Sequence, residues 1–171
     1  MIEWDVKVDD SQIATLFDQL RERLGDMTPV MQDIGELMIT STKQRFVAGQ
    51  GPDGTAWEPK SDATIAAYTA RGDTPDFRPL FGPSKRLSNE ISYRVGPDGT
   101  SVEWGSSLIY AAVQQFGAAK GAFGEDARGS SIPWGNIPAR PFLGLSSDDE
   151  SNLKAVLVEW LQSAAPGAEG N

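Results

Sequence analysis

The sequence predicts an α+β fold: a small, mostly antiparallel sheet packed by three main helices and joined by long Gly/Pro-rich loops. Three observations carry this. One stretch alternates apolar and polar residues with a strand's period, and a turn tetrapeptide between two short runs reads as a β-hairpin. Three further stretches space their apolar residues as amphipathic helices do. Gly (18) and Pro (11) together fill about one position in six of the 171-residue chain. A chain of this length buries roughly 70% of its unfolded surface, enough for a core without disulfide or metal. A single domain is expected over 1–164, with a flexible tail at 165–171.

Ile2, Trp4, Val6 and Val8 alternate with Glu3, Asp5 and Lys7, a half-buried strand pattern. Asp9 and Asp10 offer a helix cap, Ile13, Leu16, Phe17, Leu20 and Leu24 follow at helical spacing, and Gly25 closes the run. A second helix opens at Thr28-Pro29, cap then proline, and its stripe of Val30, Ile34, Leu37 and Met38 carries it to about Phe46, before Gly49. Prolines at 52, 59, 75, 79 and 83 leave room only for a short helix near 63–71. Ile91–Val95 and Ser101–Trp104 flank Gly96-Pro97-Asp98-Gly99, a type I turn sequence. Ile109, Ala112, Val113 and Phe116 share one face of a short helix ended by Gly117, and a Gly-rich loop runs from 118 to about 135. After the compact stretch Ile137–Leu145, Ser147 with Glu150 reads as a capping box for the last helix. Leu153, Val156, Leu157, Trp160 and Leu161 line that helix's expected buried face. Trp4 and Trp160, on apolar stripes, are expected in the core.

There is no Cys and no His. That excludes thiolate nucleophiles, disulfide scaffolds, zinc fingers and every imidazole-based triad. No cofactor is implied, and an enzyme is not expected. The net charge is −9, with the acid at the ends: −6 over residues 1–40 and −4 over 146–171, against +1 over 41–90 and 0 over 91–145. Duplex binding rests on Lys and Arg, so a DNA-binding surface is not expected. The acidic start is unlike a secretory signal, and no run approaches a membrane span. A cytoplasm-like compartment and no membrane partner are expected.

Several motifs have plain structural readings. Gly49, Gly51 and Gly54 match G-x-G-x-x-G, but a helix precedes them and Pro52 removes an amide, so they read as a loop and not a phosphate cradle. Asp148, Asp149 and Glu150 suit a helix's first turn better than a metal site. GPDGT occurs at 51–55 and again at 96–100 with unrelated flanks, one turn used twice. Lys43/Arg45 and Lys85/Arg86 are close basic pairs, open to a weak contact with nucleic acid or an acidic neighbour. Trp57 and Trp134 lie in Pro/Gly loops, where each is either a local core plug or an interface anchor.

Ser107–Gly117, with its YA-x₃-QFG pattern at Tyr110, Ala111, Gln115, Phe116 and Gly117, is the most specific stretch, together with Ile137-Pro138-Ala139-Arg140-Pro141-Phe142-Leu143-Gly144-Leu145. With a Gly-rich gap between them and an amphipathic helix after, they resemble the Mu-like phage virion morphogenesis family of tail completion proteins. Gly51–Pro59 is similar to that family's P-x-G-x-x-W loop, and Pro79–Ile91 to the segment leading into its hairpin. The resemblance spans roughly 28–162. The family commonly has His where Gln115 stands, and its T-G-x-L turn is replaced by Phe81-Gly82-Pro83.

The resemblance implies a structural virion protein, made in the host cytoplasm, that completes the head-proximal end of a phage tail and joins tail to head. It implies a homo-oligomeric ring, expected to have six subunits, with tail-tube and neck or connector proteins as partners. DNA would be met only in passage through the channel. A head-completion or neck adaptor, or a module contacting channel DNA, are the alternatives. Candidate interface residues are Trp57, Tyr110, Gln115, Phe116, Trp134, Arg140 and Phe142. Within 137–145 the two prolines hold the chain extended, Arg140 is placed to pair with a carboxylate, and Phe142 to plug the core. The segment reads either as a strand edge beneath the last helix or as part of a subunit joint. The joint reading expects Arg140→Ala to leave the subunit folded and block assembly.

Overall fold

A computed structural model of the protein describes Glu22 and residues 25–164. The expected strand at 2–8, Trp4, the helix stripe from Ile13 to Leu24 and the tail at 165–171 lie outside the described residues. Within them the order is α1 (Thr28–Ala48), α2 (Asp62–Ala70), α3 (Arg86–Asn89), β1 (Ile91–Val95), β2 (Val102–Ser106), α4 (Ala111–Phe116) and α5 (Ser147–Ala164). This is an α+β arrangement in which α1 lies on the β1–β2 hairpin and α5 packs against α1.

Pro29 occupies the first turn of α1, where a missing N–H goes unneeded. Thr28 is the first helical residue and not the cap; its N–H donates to the Asp26 carboxylate at 3.0 Å. Gly49 ends the helix with φ 72°, its N–H donating to Arg45 O at 2.7 Å. The buried stripe on α1 is Val30, Met38, Thr42, Arg45 and Phe46, with Gly35 beside it. At Gly35 the ring of Tyr93 fills the space a side chain would take: a Cβ there would lie 2.4 Å from it. A helix-interior glycine costs about 1 kcal/mol against Ala, and here it lets the hairpin lie flat on α1.

The hairpin pairs Tyr93 with Trp104 and Arg94 with Glu103, and β2 continues two residues past Trp104 because Gly105 and Ser106 still pair with Ser92 and Ile91. Both GPDGT turns close alike. In each the Asp side chain (Asp53, Asp98) accepts from the Thr N–H and Thr hydroxyl two residues on, and the second Gly (φ 77° at Gly54, 70° at Gly99) donates to the first.

The core is built around Phe46. Trp57 and Phe81 meet its ring edge-on, with centroids at 5.6 and 6.1 Å, and Phe142 lies tilted at 5.4 Å. Leu87, Ile91 and Ala111 complete the cluster. Residues from the Pro-rich loops thus supply half of the central aromatic packing, which is how a loop-rich chain still closes a core.

Two expectations for α5 change. The capping box is Ser146 with Asp149, one residue earlier than Ser147 with Glu150: Ser146 N–H donates to Asp149 Oδ2 at 2.8 Å, and Asp149 N–H donates to Ser146 Oγ at 3.1 Å. The expected buried face is only partly covered. Leu153, Val156, Leu157 and Trp160 are half-buried and Leu161 is exposed. Trp160 is therefore not a core residue, because α5 is an outer layer whose main contact among the described elements is α1.

Candidate subunit interface and the strap beneath it

Residues 137–145 form an extended strap, and the backbone of the strap is the meeting point of the sequence motifs. Ile137 exchanges hydrogen bonds with Ala118 at 2.8 and 2.9 Å, and Arg140 N–H donates to Gln114 O at 2.7 Å. The Gln115 amide then behaves like a short neighbouring strand: its Oε1 accepts from the N–H groups of Phe142 (2.9 Å) and Leu143 (3.0 Å), and its Nε2 donates to Leu143 O at 3.0 Å. The Trp57 indole N–H donates to Pro141 O at 2.9 Å. Arg45 donates to Phe142 O (3.1 Å) and Gly144 O (2.8 Å). Buried backbone groups must find partners, and here side chains from α1, α4 and the Trp57 loop supply them.

Gly117 is required by the same approach. Its φ 74° and ψ 176° suit glycine alone, and a Cβ would stand 2.8 Å from both Ala139 N and Ile137 O. The QFG motif is thus the part of α4 that receives the strap.

Arg140 does not pair with a carboxylate. It is buried, and its guanidinium donates to Glu58 O at 2.7 Å and Pro59 O at 3.1 Å, pinning the loop after Trp57. Burial pushes its pKa down, with the nearby Glu58 charge opposing. Arg140→Ala therefore acts first on this subunit's own loop. Trp57 is a core plug, and Phe142 is fully buried.

Sequence reasoning missed the clamp at the strap's far end. Arg45 and Asp149 form an ion pair with side chains only 7% and 3% exposed. Ser41 Oγ–H and Ser146 Oγ–H also donate to the Asp149 carboxylate. Burial pushes that carboxyl up, but the hydrogen bonds from Ser41 and Ser146 and the Arg45 charge outweigh it and hold it below the usual range. The signal was present: Arg45 follows Met38 and Thr42 on the α1 stripe, and Asp149 precedes Leu153, Val156 and Trp160 at helical spacing. A charge on an apolar stripe looks for an opposite charge on another. Arg45 is therefore unavailable to nucleic acid, and Arg86 of the other basic pair is bonded to Glu90 at 2.6 Å.

Of the seven candidate residues, Trp57, Arg140 and Phe142 are turned inward and Gln115 is half-buried on the strap. Tyr110 and Trp134 reach solvent and, with Arg140, line a groove of about 990 Å³ that also includes Lys60 and Tyr68. Phe116 stands apart on the outer face of α4, 78% exposed, beside Ile109 at 96%. The helical spacing grouped Ile109, Ala112, Val113 and Phe116 on one face; α4 holds the last three, while Ile109 precedes it in a turn, and the spacing could not say what covers them.

The stretch expected as a Gly-rich loop is a hydrogen-bonded arm. Ala118 bridges Ile137, Gly121 N–H donates to Pro133 O, Phe123 and Ile132 lie across from each other, and Glu125 bridges Ser131. Residues 122–130 are all exposed. Among the described residues no cluster of three His, Cys, Asp or Glu could hold a metal, and no helix is long and apolar enough to cross a membrane.

Among the described residues, the strap-bound core leaves Ile109 and Phe116 uncovered. The chain belongs to the phage virion morphogenesis family, whose model matches residues 8–162. It is 26% identical over 133 residues to tail completion protein S of Escherichia phage P2, covering 76% of this chain and 81% of that one. It is 25% identical over 159 residues to Mu-like prophage FluMu G protein 2 of Haemophilus influenzae, covering 92% and 96%. No solved structure matches the chain. Membership of this family makes it a structural component of phage tail assembly.

Proposed function

We propose that the protein completes the head-proximal end of the tail and joins tail to head, acting as a ring and without catalysis. The family match over 8–162 carries this reading, and the name of the phage P2 relative supports it. The exposed Ile109–Phe116 face supports an assembled state, since an uncharged apolar surface of this kind marks a protein contact. Tail-tube and neck proteins are the heterologous partners in this reading.

The test is removal of the gene from its phage, followed by negative-stain electron microscopy of the lysate. Filled heads beside unattached tails, restored to whole particles by the gene supplied in trans, support the role. Normally joined particles without the gene refute it.

A further inference from the structure

We propose that neighbouring copies join by an arm-on-helix contact, in which the 118–137 arm of one subunit lies on the outer face of α4 in the next. The inference rests on the ring reading above and names the surfaces that make the ring.

The charge distribution points to a second copy as the occupant. With a net charge of −9, two copies repel each other except where their surfaces are uncharged. The two longest stretches without Asp, Glu, Lys or Arg are 104–119 and 129–139. One contains α4 with Ile109 and Phe116; the other forms the returning half of the arm with Ile132 and Trp134. These stretches also carry three of the four most exposed large apolar side chains among the described residues, Ile109 (96%), Phe116 (78%) and Trp134 (70%), with Phe77 (72%) the fourth.

Shape and stability agree. The backbone hydrogen bonds of the arm run to other arm residues, and Phe123, Ile132 and Trp134 stay 58%, 41% and 70% exposed among the described residues. An isolated two-stranded ribbon is marginally stable, so an ordered arm with bare apolar side chains needs a surface to lie on. The rings of Phe116, Phe123 and Trp134 together expose roughly 400 Å², taking about 200 Å² for a whole aromatic side chain. That is nearly half of the apolar area in a standard interface of about 1,600 Å². Because arm and helix are different patches, the contact is head-to-tail, the type that closes rings.

The chain has no cysteine, so thiol crosslinking is free of background. Ala112 on the outer face of α4 and Ala122 beside Phe123 are both exposed, and Ala→Cys is a small change at each. Phage carrying Ala112→Cys, Ala122→Cys or both would be purified as particles and treated with a short bis-maleimide. The subunit would then be followed on a denaturing gel. The expected result is a ladder of covalent multimers from the double variant and monomer from each single variant. Monomer alone from the double variant, in particles that contain the protein, overturns the arm-on-helix contact and leaves the tail-end role standing. A dimer from either single variant overturns it in favour of a like-to-like contact, and a product of foreign mass overturns the second copy as occupant. Absence of the protein from the particles overturns the tail-end role itself, and this inference with it.

Discussion

Asp149→Asn tests the clamp that fixes the strap's far end to α1. Asparagine keeps the shape and can still accept from Ser146 N–H, so the substitution removes mainly the charge facing Arg45. Arg45 is then a buried cation without a counter-ion, left with neutral acceptors alone: Phe142 O, Gly144 O, Ser41 Oγ and the new amide oxygen. Removing one member of a buried pair costs about 3–5 kcal/mol. For a domain of this size that lowers Tm by about 6–20 °C in a circular-dichroism melt at pH 7.

The pH dependence has a fixed sign. The folded Asp149 carboxyl titrates below its ordinary value, so its contribution is fully present above the unfolded value near about 4. It is lost as pH falls through the folded value. The Tm gap between wild type and Asp149→Asn is therefore constant from pH 7 to about 5 and narrows below about 4. Replacing both partners, as Arg45→Met with Asp149→Leu, recovers only part of the loss, because the Phe142 and Gly144 carbonyls lose their donor. A single variant within about 0.5 kcal/mol of wild type, the level of an ordinary surface change, or a gap that widens on acidification, would refute the clamp.

Gly117→Ala should destabilise by more than about 2 kcal/mol, combining a glycine-only backbone with a clash against the strap; an unchanged Tm would mean that α4 and the strap are not so closely held. Trp57→Phe keeps most of the packing on Phe46 but leaves Pro141 O without its donor, at a cost of about 1–3 kcal/mol read from urea unfolding. Arg140→Ala should cost about 2–3 kcal/mol through the two freed carbonyls and speed proteolysis of the 57–61 loop. Full stability with lost assembly would instead return Arg140 to a joint between subunits.

Local signals in the sequence located the elements well. Thr28-Pro29 and Gly49 bracket α1, the two GPDGT turns close alike, and the hairpin falls around 96–99, because each of these is decided by a few neighbouring residues. What failed was decided at long range. The capping box moved to Ser146 because Asp149, and not Glu150, is held inside by Arg45. Trp57 could not be assigned until its indole met Pro141 O across 84 residues. An arginine at 140 suggests a carboxylate partner, whereas its partners are backbone carbonyls, which composition does not display. Periodicity found the apolar face of α4 yet could not show that no described part of the subunit covers it.

The strap links this exposed surface to the core by a short mechanical route. Phe142 packs on Phe46, while the amides of Phe142 and Leu143 are bonded to Gln115 in α4. Four residues back from Leu143 the strap meets Gly117, and at Ile137 it forms the base of the arm with Ala118. Both proposed contact surfaces are therefore mounted on one extended segment whose other end is locked to α1 and α5 by Arg45 and Asp149. The order of the motifs along the chain follows from this geometry. The strap comes after α4 because the arm must leave and return between them, and before α5 because the capping carboxylate of α5 closes the clamp. A subunit built this way can hold an apolar helix face and an arm in fixed relation without burying either in its own core.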